Sequence, residues 1–143
     1  CILLYNRTYD KAVALAEQVP VEWHVEAIPS LASVGARADH AQLRVVVSNV
    51  PAAATSLSPE QGADIVLPKE LLPAQSGVAI DMAYGVEHTP LLVLAQMHGW
   101  HTVRGIDILL SQAYRQFRLW TQLPPPCAAI EHEVLPAYAA SLP

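Results

Sequence analysis

Residues 77–104 read GVAIDMAYGVEHTPLLVLAQMHGWHTVR, and this stretch decides the fold class. The apolar run from Gly77 to Tyr84 suits a strand buried on both faces. Thr89-Pro90 then supplies a helix N-cap with proline at the first helical position, and Gly99 closes the helix at C′. Trp100 to Arg104 reads as a short strand again. Two strands joined by one helix lie parallel with a right-handed crossover.

The same alternation continues toward both ends. Ile2–Tyr5 is an unbroken apolar strand, and Thr8 can cap a helix in which Ala12, Leu15, Ala16 and Val19 share a face until Pro20 ends it. Trp23–Ile28 is a second strand, and Pro29-Ser30 opens a weak helix through Val34. Leu43–Val50 is the clearest strand, because β-branched residues fit a pleated, buried surface. Residues 51–76 read as loop, anchored by Ile65-Val66-Leu67 and Leu71-Leu72. From Ile106 the apolar positions 106, 109, 110, 113, 117 and 120 form one helical stripe. Pro124-Pro125-Pro126 breaks the chain, and a last helix runs from about Pro126 until Pro136 kinks or stops it. The expectation is an α/β, Rossmann-type, mostly parallel sheet flanked by helices. Residues 1–104 form the α/β part and 105–143 the carboxyl-terminal helices.

Composition narrows the function classes. The 143 residues are 52% hydrophobic and 15% charged, enough apolar material for one buried core. Thirteen acidic against eight basic residues give −5, the wrong sign for a protein that neutralises phosphates along a nucleic acid. No apolar run approaches the roughly 18–20 residues of a membrane span. Cys1 and Cys127 match no metal or redox spacing, so a reducing, cytoplasmic compartment is the default. The chain opens on Cys1-Ile2-Leu3-Leu4-Tyr5, a strand already under way, and we expect a piece of a longer protein. Its six glycines are scattered and form no phosphate-cradling loop.

Ligands of doubly wound sheets bind beyond the carboxyl ends of the strands. Three such ends carry polar residues here. Asn6-Arg7-Thr8 follows the first strand. If that strand is the second of a dinucleotide fold, Arg7 suits a 2′-phosphate where a carboxylate would select a free 2′-hydroxyl; a solvated loop arginine is the alternative. Ser48-Asn49-Val50-Pro51 offers an amide and backbone to a nicotinamide ribose, or simply makes a turn. Asp81-Met82-Ala83-Tyr84 ends in a tyrosine that would ordinarily belong to the core edge. Gln112 borders the apolar stripe of its helix, between Ile108 and Gln116, where it could finish a hydrogen-bond network. His98-Gly99-Trp100-His101 invites a metal reading, but Gly99 separates the two histidines and no further ligand converges, so no metal is expected.

At this point the motifs become recognisable. Asn6-Arg7-Thr8-Tyr9-Asp10-Lys11-Ala12 resembles the N-R-T-x-x-K-A segment of shikimate dehydrogenases. Asp81 to Tyr84, Thr89-Pro90-Leu91-Leu92 and Gly105 to Gln112 with Gln116-Phe117 and Trp120-Thr121 resemble their remaining blocks. The flavour is that of the dehydrogenase-like domains of fungal quinate repressor proteins, or of the arom polypeptide.

The resemblance implies NADP as cofactor and interconversion of 3-dehydroshikimate and shikimate, a step toward aromatic amino acids. Asn6, Arg7 and Thr8 would hold the adenosine 2′-phosphate; Ser48, Asn49, Met82 and Gly105 would lie along the cofactor; Tyr84 and Gln112 would contact substrate. The catalytic lysine and aspartate of the family belong to an amino-terminal substrate domain that this chain does not contain, nor does it contain the first strand and glycine loop. Gly85-Val86 after Tyr84, and Ser48-Asn49-Val50-Pro51 in place of N-A-T-P, depart from the family at the nicotinamide end. They motivate a second expectation: a non-catalytic regulatory module that senses a quinate or shikimate metabolite, binds a partner activator protein without touching nucleic acid or membrane, and could be nuclear.

Overall fold

The computed structural model describes residues 1–142. In chain order the elements are β1 (Ile2–Tyr5), α1 (Tyr9–Ala16), β2 (Val25–Ile28), β3 (Val45–Ser48), β4 (Thr55–Ser56), β5 (Ile65–Val66), β6 (Val78–Asp81), α2 (Pro90–Met97), β7 (His101–Val103), α3 (Gly105–Thr121) and α4 (Cys127–Ser141), with single 3-10 turns between several of them. Every strand pairing is parallel. The α/β class expected from the alternation of strands and helices is the class observed.

The sheet is interrupted. β1 pairs with β2, β3–β6–β7 form a second ladder, and β4 pairs with β5. β1 and β3 each keep one edge unpaired among the described residues, and both line a slot of about 710 Å³ floored by Ile28, Leu71 and Leu91. An unpaired strand edge is a row of donors and acceptors awaiting a partner. The apolar pattern of β3 asks for cover on both faces, yet Val45 and Val47 are 53% and 59% exposed.

The core sits beneath the β3–β6–β7 ladder. Leu91, Leu94 and Ala95 of α2 pack with Ile65, Leu67, Leu71, Leu72 and Trp100. The Trp100 indole Nε1 donates to Pro73 O at 3.1 Å, so the ring is buried without an unsatisfied donor. Gly77 makes room for it: a Cβ there would lie 2.6 Å from the ring. Gly99, at φ +70°, turns the chain from α2 into β7 as the sequence predicts.

Several elements differ from the sequence expectation. β2 begins at Val25 rather than Trp23, because a 3-10 turn over Val21–Trp23 passes through a left-handed His24 (φ 49°). The weak helix after Ser30 is a single 3-10 turn, Leu31–Ser33, capped by Ser30 Oγ accepting from Ala32 N at 3.1 Å. The region 51–76 is less irregular than its composition suggests, since β4 and β5 pair inside it and Leu67 N donates to Ser56 O at 2.8 Å. Thr8 sits at the N-cap of α1, but its hydroxyl makes no capping bond.

The stripe on α3 packs only at its start. Ile106 and Leu110 are buried, whereas Leu109, Leu119 and Trp120 are exposed, Trp120 by 77%. The helix therefore projects beyond the core it was expected to cover along its whole length. Pro136 neither stops nor shortens α4, which runs on to Ser141. Proline removes one backbone donor and crowds the preceding turn; α4 has no fully buried residue, so the freed carbonyl faces no dry interior.

Candidate functional site: the carboxyl ends of the parallel strands

β3 and β6 run in register with Ser48 opposite Asp81, so they end at one level. Met82 N donates to Ser48 O at 2.8 Å and continues the ladder one step past the strand. The Ser48 hydroxyl is buried with no hydrogen-bond partner among the described residues. An unsatisfied buried hydroxyl is costly and marks a place where another polar group belongs.

The N-terminus of α3 closes on the same point. A Cβ on Gly105 would lie 2.6 Å from both Met82 O and Ala83 O, so only glycine lets the helix approach this backbone. Ser48, Met82 and Gly105 are thus brought together. Gly105 already has a packing reason to be glycine, whatever else approaches it.

Two polar networks hold the loop that carries Tyr84. The buried Asp81 carboxylate accepts from Ala83 N at 3.1 Å through Oδ1 and from Thr89 Oγ1 at 2.7 Å through Oδ2. Thr89 Oγ1 in turn accepts from Leu92 N at 3.4 Å, a long cap for α2. On the other side, Asp107 accepts from Arg104 N at 3.1 Å and from its Nε and Nη2 at 3.0 and 2.9 Å, while Arg104 Nη1 lies 3.7 Å from Glu87 Oε1. The hydrogen bonds from Arg104 hold the Asp107 carboxyl below its ordinary pKa, and Asp107 raises that of Arg104.

After β1, Asn6 Oδ1 accepts from Thr8 N at 2.8 Å and shapes the turn. Arg7 extends from that turn into an ion pair with Asp64, just before β5. Asn49 is exposed. Tyr84 is 59% exposed rather than tucked at the core edge, and Gln112 is exposed on α3. The structure therefore unites Ser48, Met82 and Gly105, puts Asn6–Thr8 directly after β1, whose residues Ile2–Tyr5 line the slot, and leaves Tyr84 and Gln112 on separate elements outside the slot lining. Sequence reasoning did not single out Asp64 or Arg104, and it quoted Asp81 and Asp107 within motifs without giving either a role. Asp107 stands three residues after the cap, the spacing of a capping box, but Arg104 in the cap position hides the pattern.

Residues 105–135 match the family model of the shikimate 5′-dehydrogenase C-terminal domain. The pentafunctional AROM polypeptide of Malassezia globosa is 64% identical over 141 residues, covering 98% of this chain and 8% of that protein. Along almost its whole length the chain resembles the shikimate dehydrogenase family. The NADP(+)-type shikimate dehydrogenase of Chromohalobacter salexigens is 35% identical over 130 residues, 91% of this chain and 43% of that enzyme.

Solved shikimate dehydrogenases share the fold. The Thermus thermophilus enzyme, in complex with NADP(H) and shikimate, superposes with a TM-score of 0.65 at 29% identity over 99% of this chain and 46% of that one. The dehydroquinate dehydratase and shikimate dehydrogenase of S. pombe gives 0.67 at 27% identity over 94% and 25%. The chain spans less than half the length of each of these relatives.

Proposed function

We propose that this chain is the carboxyl-terminal, cofactor-facing part of an NADP-dependent shikimate dehydrogenase, carried by a longer polypeptide of the AROM or stand-alone type. The observation that carries the reading is the position of Arg7: an exposed guanidinium at the carboxyl end of β1, beside the slot where a glycine-loop strand would bring a pyrophosphate.

The residues fit the cofactor. Asn6, Arg7 and Thr8 offer a shaped turn and a fixed fork of donors for a 2′-phosphate dianion. At the carboxyl ends of β3 and β6, the unpartnered Ser48 hydroxyl, with Asn49, Met82 and the glycine-dependent approach at Gly105, would supply polar and backbone groups for the nicotinamide half. When bound, NADPH would supply the hydride that reduces the carbonyl of 3-dehydroshikimate. This chain's own residues position and enclose: Tyr84, on a loop pinned by Asp81–Thr89 and by Arg104–Glu87, and Gln112, on α3, would orient the substrate. The proton-transferring groups would come from the amino-terminal substrate domain, which the exposed end of α3 at Leu119 and Trp120 is suited to meet.

The relatives are named as dehydrogenases and polyfunctional polypeptides, which supports the enzyme reading over the regulatory one. Free Cys1 and Cys127 accord with a cytoplasmic setting. Among the described residues no helix is long and apolar enough to cross a membrane.

The test is calorimetric titration of NADP and NAD into the longer polypeptide, wild type and Arg7→Ala. A charge-assisted contact to phosphate contributes about 1.5–3 kcal/mol, so NADP binding should weaken roughly ten- to hundredfold while NAD changes little. Equal weakening of both cofactors would reduce Arg7 to a scaffold role.

A further inference from the structure

We propose that Asp64 is a resident competitor for the anion site on Arg7, released only when a phosphate takes its place. The inference rests on the reading of Arg7 as the 2′-phosphate contact, and adds a residue that sets how strongly that contact discriminates.

Arg7 and Asp64 lie 57 positions apart in sequence, yet their side chains form an ion pair. Local chain geometry delivers Asp64 to that spot. Ser58 Oγ accepts from Glu60 N at 3.3 Å, and Gly62, left-handed at φ +69°, reverses the chain. Ile65, the next residue after Asp64, is buried and begins β5, which pairs with β4. The carboxylate is therefore held beside Arg7 by a neighbour anchored in the core, while the two side chains remain 65% and 54% exposed. Ile65 and β1 both line the slot, so the pair links the two segments that carry them.

A phosphate dianion approaching Arg7 needs the donors that Asp64 occupies and meets the negative charge of Asp64 at contact range. Binding then exchanges one anionic partner for another, and part of the charge-assisted gain is spent on the exchange. NAD, with a neutral 2′-hydroxyl, does not compete for the guanidinium. Asp64 thus lowers affinity for the phosphorylated cofactor specifically and, by neutralising the guanidinium, makes that affinity less dependent on salt.

The experiment titrates NADP and NAD into the longer polypeptide as wild type, Asp64→Asn, Asp64→Ser, Arg7→Ala and the Arg7→Ala/Asp64→Asn double variant. Unfolding transitions confirm that each is folded. An exposed ion pair corresponds to about a two- to fivefold change in an equilibrium, so both Asp64 variants should bind NADP about two- to fivefold tighter, with NAD unchanged. Asp64→Asn should gain less in the Arg7→Ala background than in wild type, because without Arg7 only the direct repulsion by Asp64 is left to relieve; an equal gain in both backgrounds would contradict competition for the guanidinium. If Arg7→Ala weakens NADP but the Asp64 variants leave it unchanged or weaken it, Asp64 is not a competitor and this proposal fails while the role of Arg7 stands. If Arg7→Ala leaves NADP unchanged, the reading of Arg7 fails, and the competition proposal with it.

Discussion

Thr89 Oγ1 donates to Asp81 Oδ2 at 2.7 Å, and both side chains are buried. This bond joins the last residue of β6 to the cap of α2 and closes the loop 82–88 between them. Tyr84 lies on that loop, so its position depends on a carboxylate that never touches it. A buried charge kept by a single side-chain hydroxyl and one backbone donor is sensitive to losing either.

Thr89→Val keeps the shape and removes the donor. The uncompensated carboxylate and the lost cap should together cost about 2–3 kcal/mol, read as a lower urea midpoint. Thr89→Ser should recover most of it. A midpoint unchanged by Thr89→Val would show that Asp81 finds another donor.

Gly105→Ala inserts a methyl group 2.6 Å from two carbonyl oxygens of the backbone. It should destabilise by about 1–3 kcal/mol, since backbone cannot yield as a flexible side chain does. Gly85→Ala, where a Cβ meets nothing within 4 Å, is the control and should be close to neutral. Equal effects at both positions would remove the steric account of Gly105.

The Arg104–Asp107 pair makes the start of α3 acid-sensitive. Asp107 has its folded pKa below the unfolded one, chiefly through the hydrogen bonds from Arg104. Its contribution is therefore present above the unfolded value, near 3.8, and is lost as pH falls through the lower folded value. Unfolding curves of wild type and Asp107→Asn should converge as pH drops through that window and separate above it. Curves that stay parallel would contradict the assignment.

Tyr114 Oη donates to Glu131 Oε1 at 2.8 Å and links α3 to α4. Desolvation first, and the Glu131 carboxylate second, push its pKa up to about 12. The link is then fully present below the ordinary tyrosine value near 10 and is lost as pH rises through 12. The tyrosinate absorbance lost on Tyr114→Phe should correspond to a group titrating near that value, and Glu131→Gln should lower it. A group titrating at 10 would show the phenol to be free of Glu131.

The fold was legible where local signals agree. Thr89-Pro90 and Gly99 bracket α2 because cap, φ restriction and left-handed turn are each encoded by one residue. β3 was legible as a strand, but not its half-open state, since the apolar pattern describes a sheet with the slot filled. The same cause explains α3: its stripe is continuous in sequence, while only the Ile106–Leu110 end meets core in this chain. Of the candidate site, the strand ends pointed to Asn6–Thr8, Ser48 and Met82, and the structure brings Ser48 and Met82 together. Asp81–Thr89 and Arg7–Asp64 escaped notice because each pairing depends on how loops return in space, and the second spans 57 residues. No short-range pattern carries that.

The most direct measurement is shikimate-dependent reduction of NADP, followed by absorbance of the reduced nicotinamide, for two purified proteins: the 143-residue chain and the longer polypeptide that contains it. On the proposed reading this chain supplies the cofactor-facing wall while the glycine loop and the proton-transfer pair lie outside it, so turnover should come from the longer polypeptide and be absent from the chain alone. Turnover by the isolated chain, or a longer polypeptide that binds shikimate and never reduces NADP, would contradict the account.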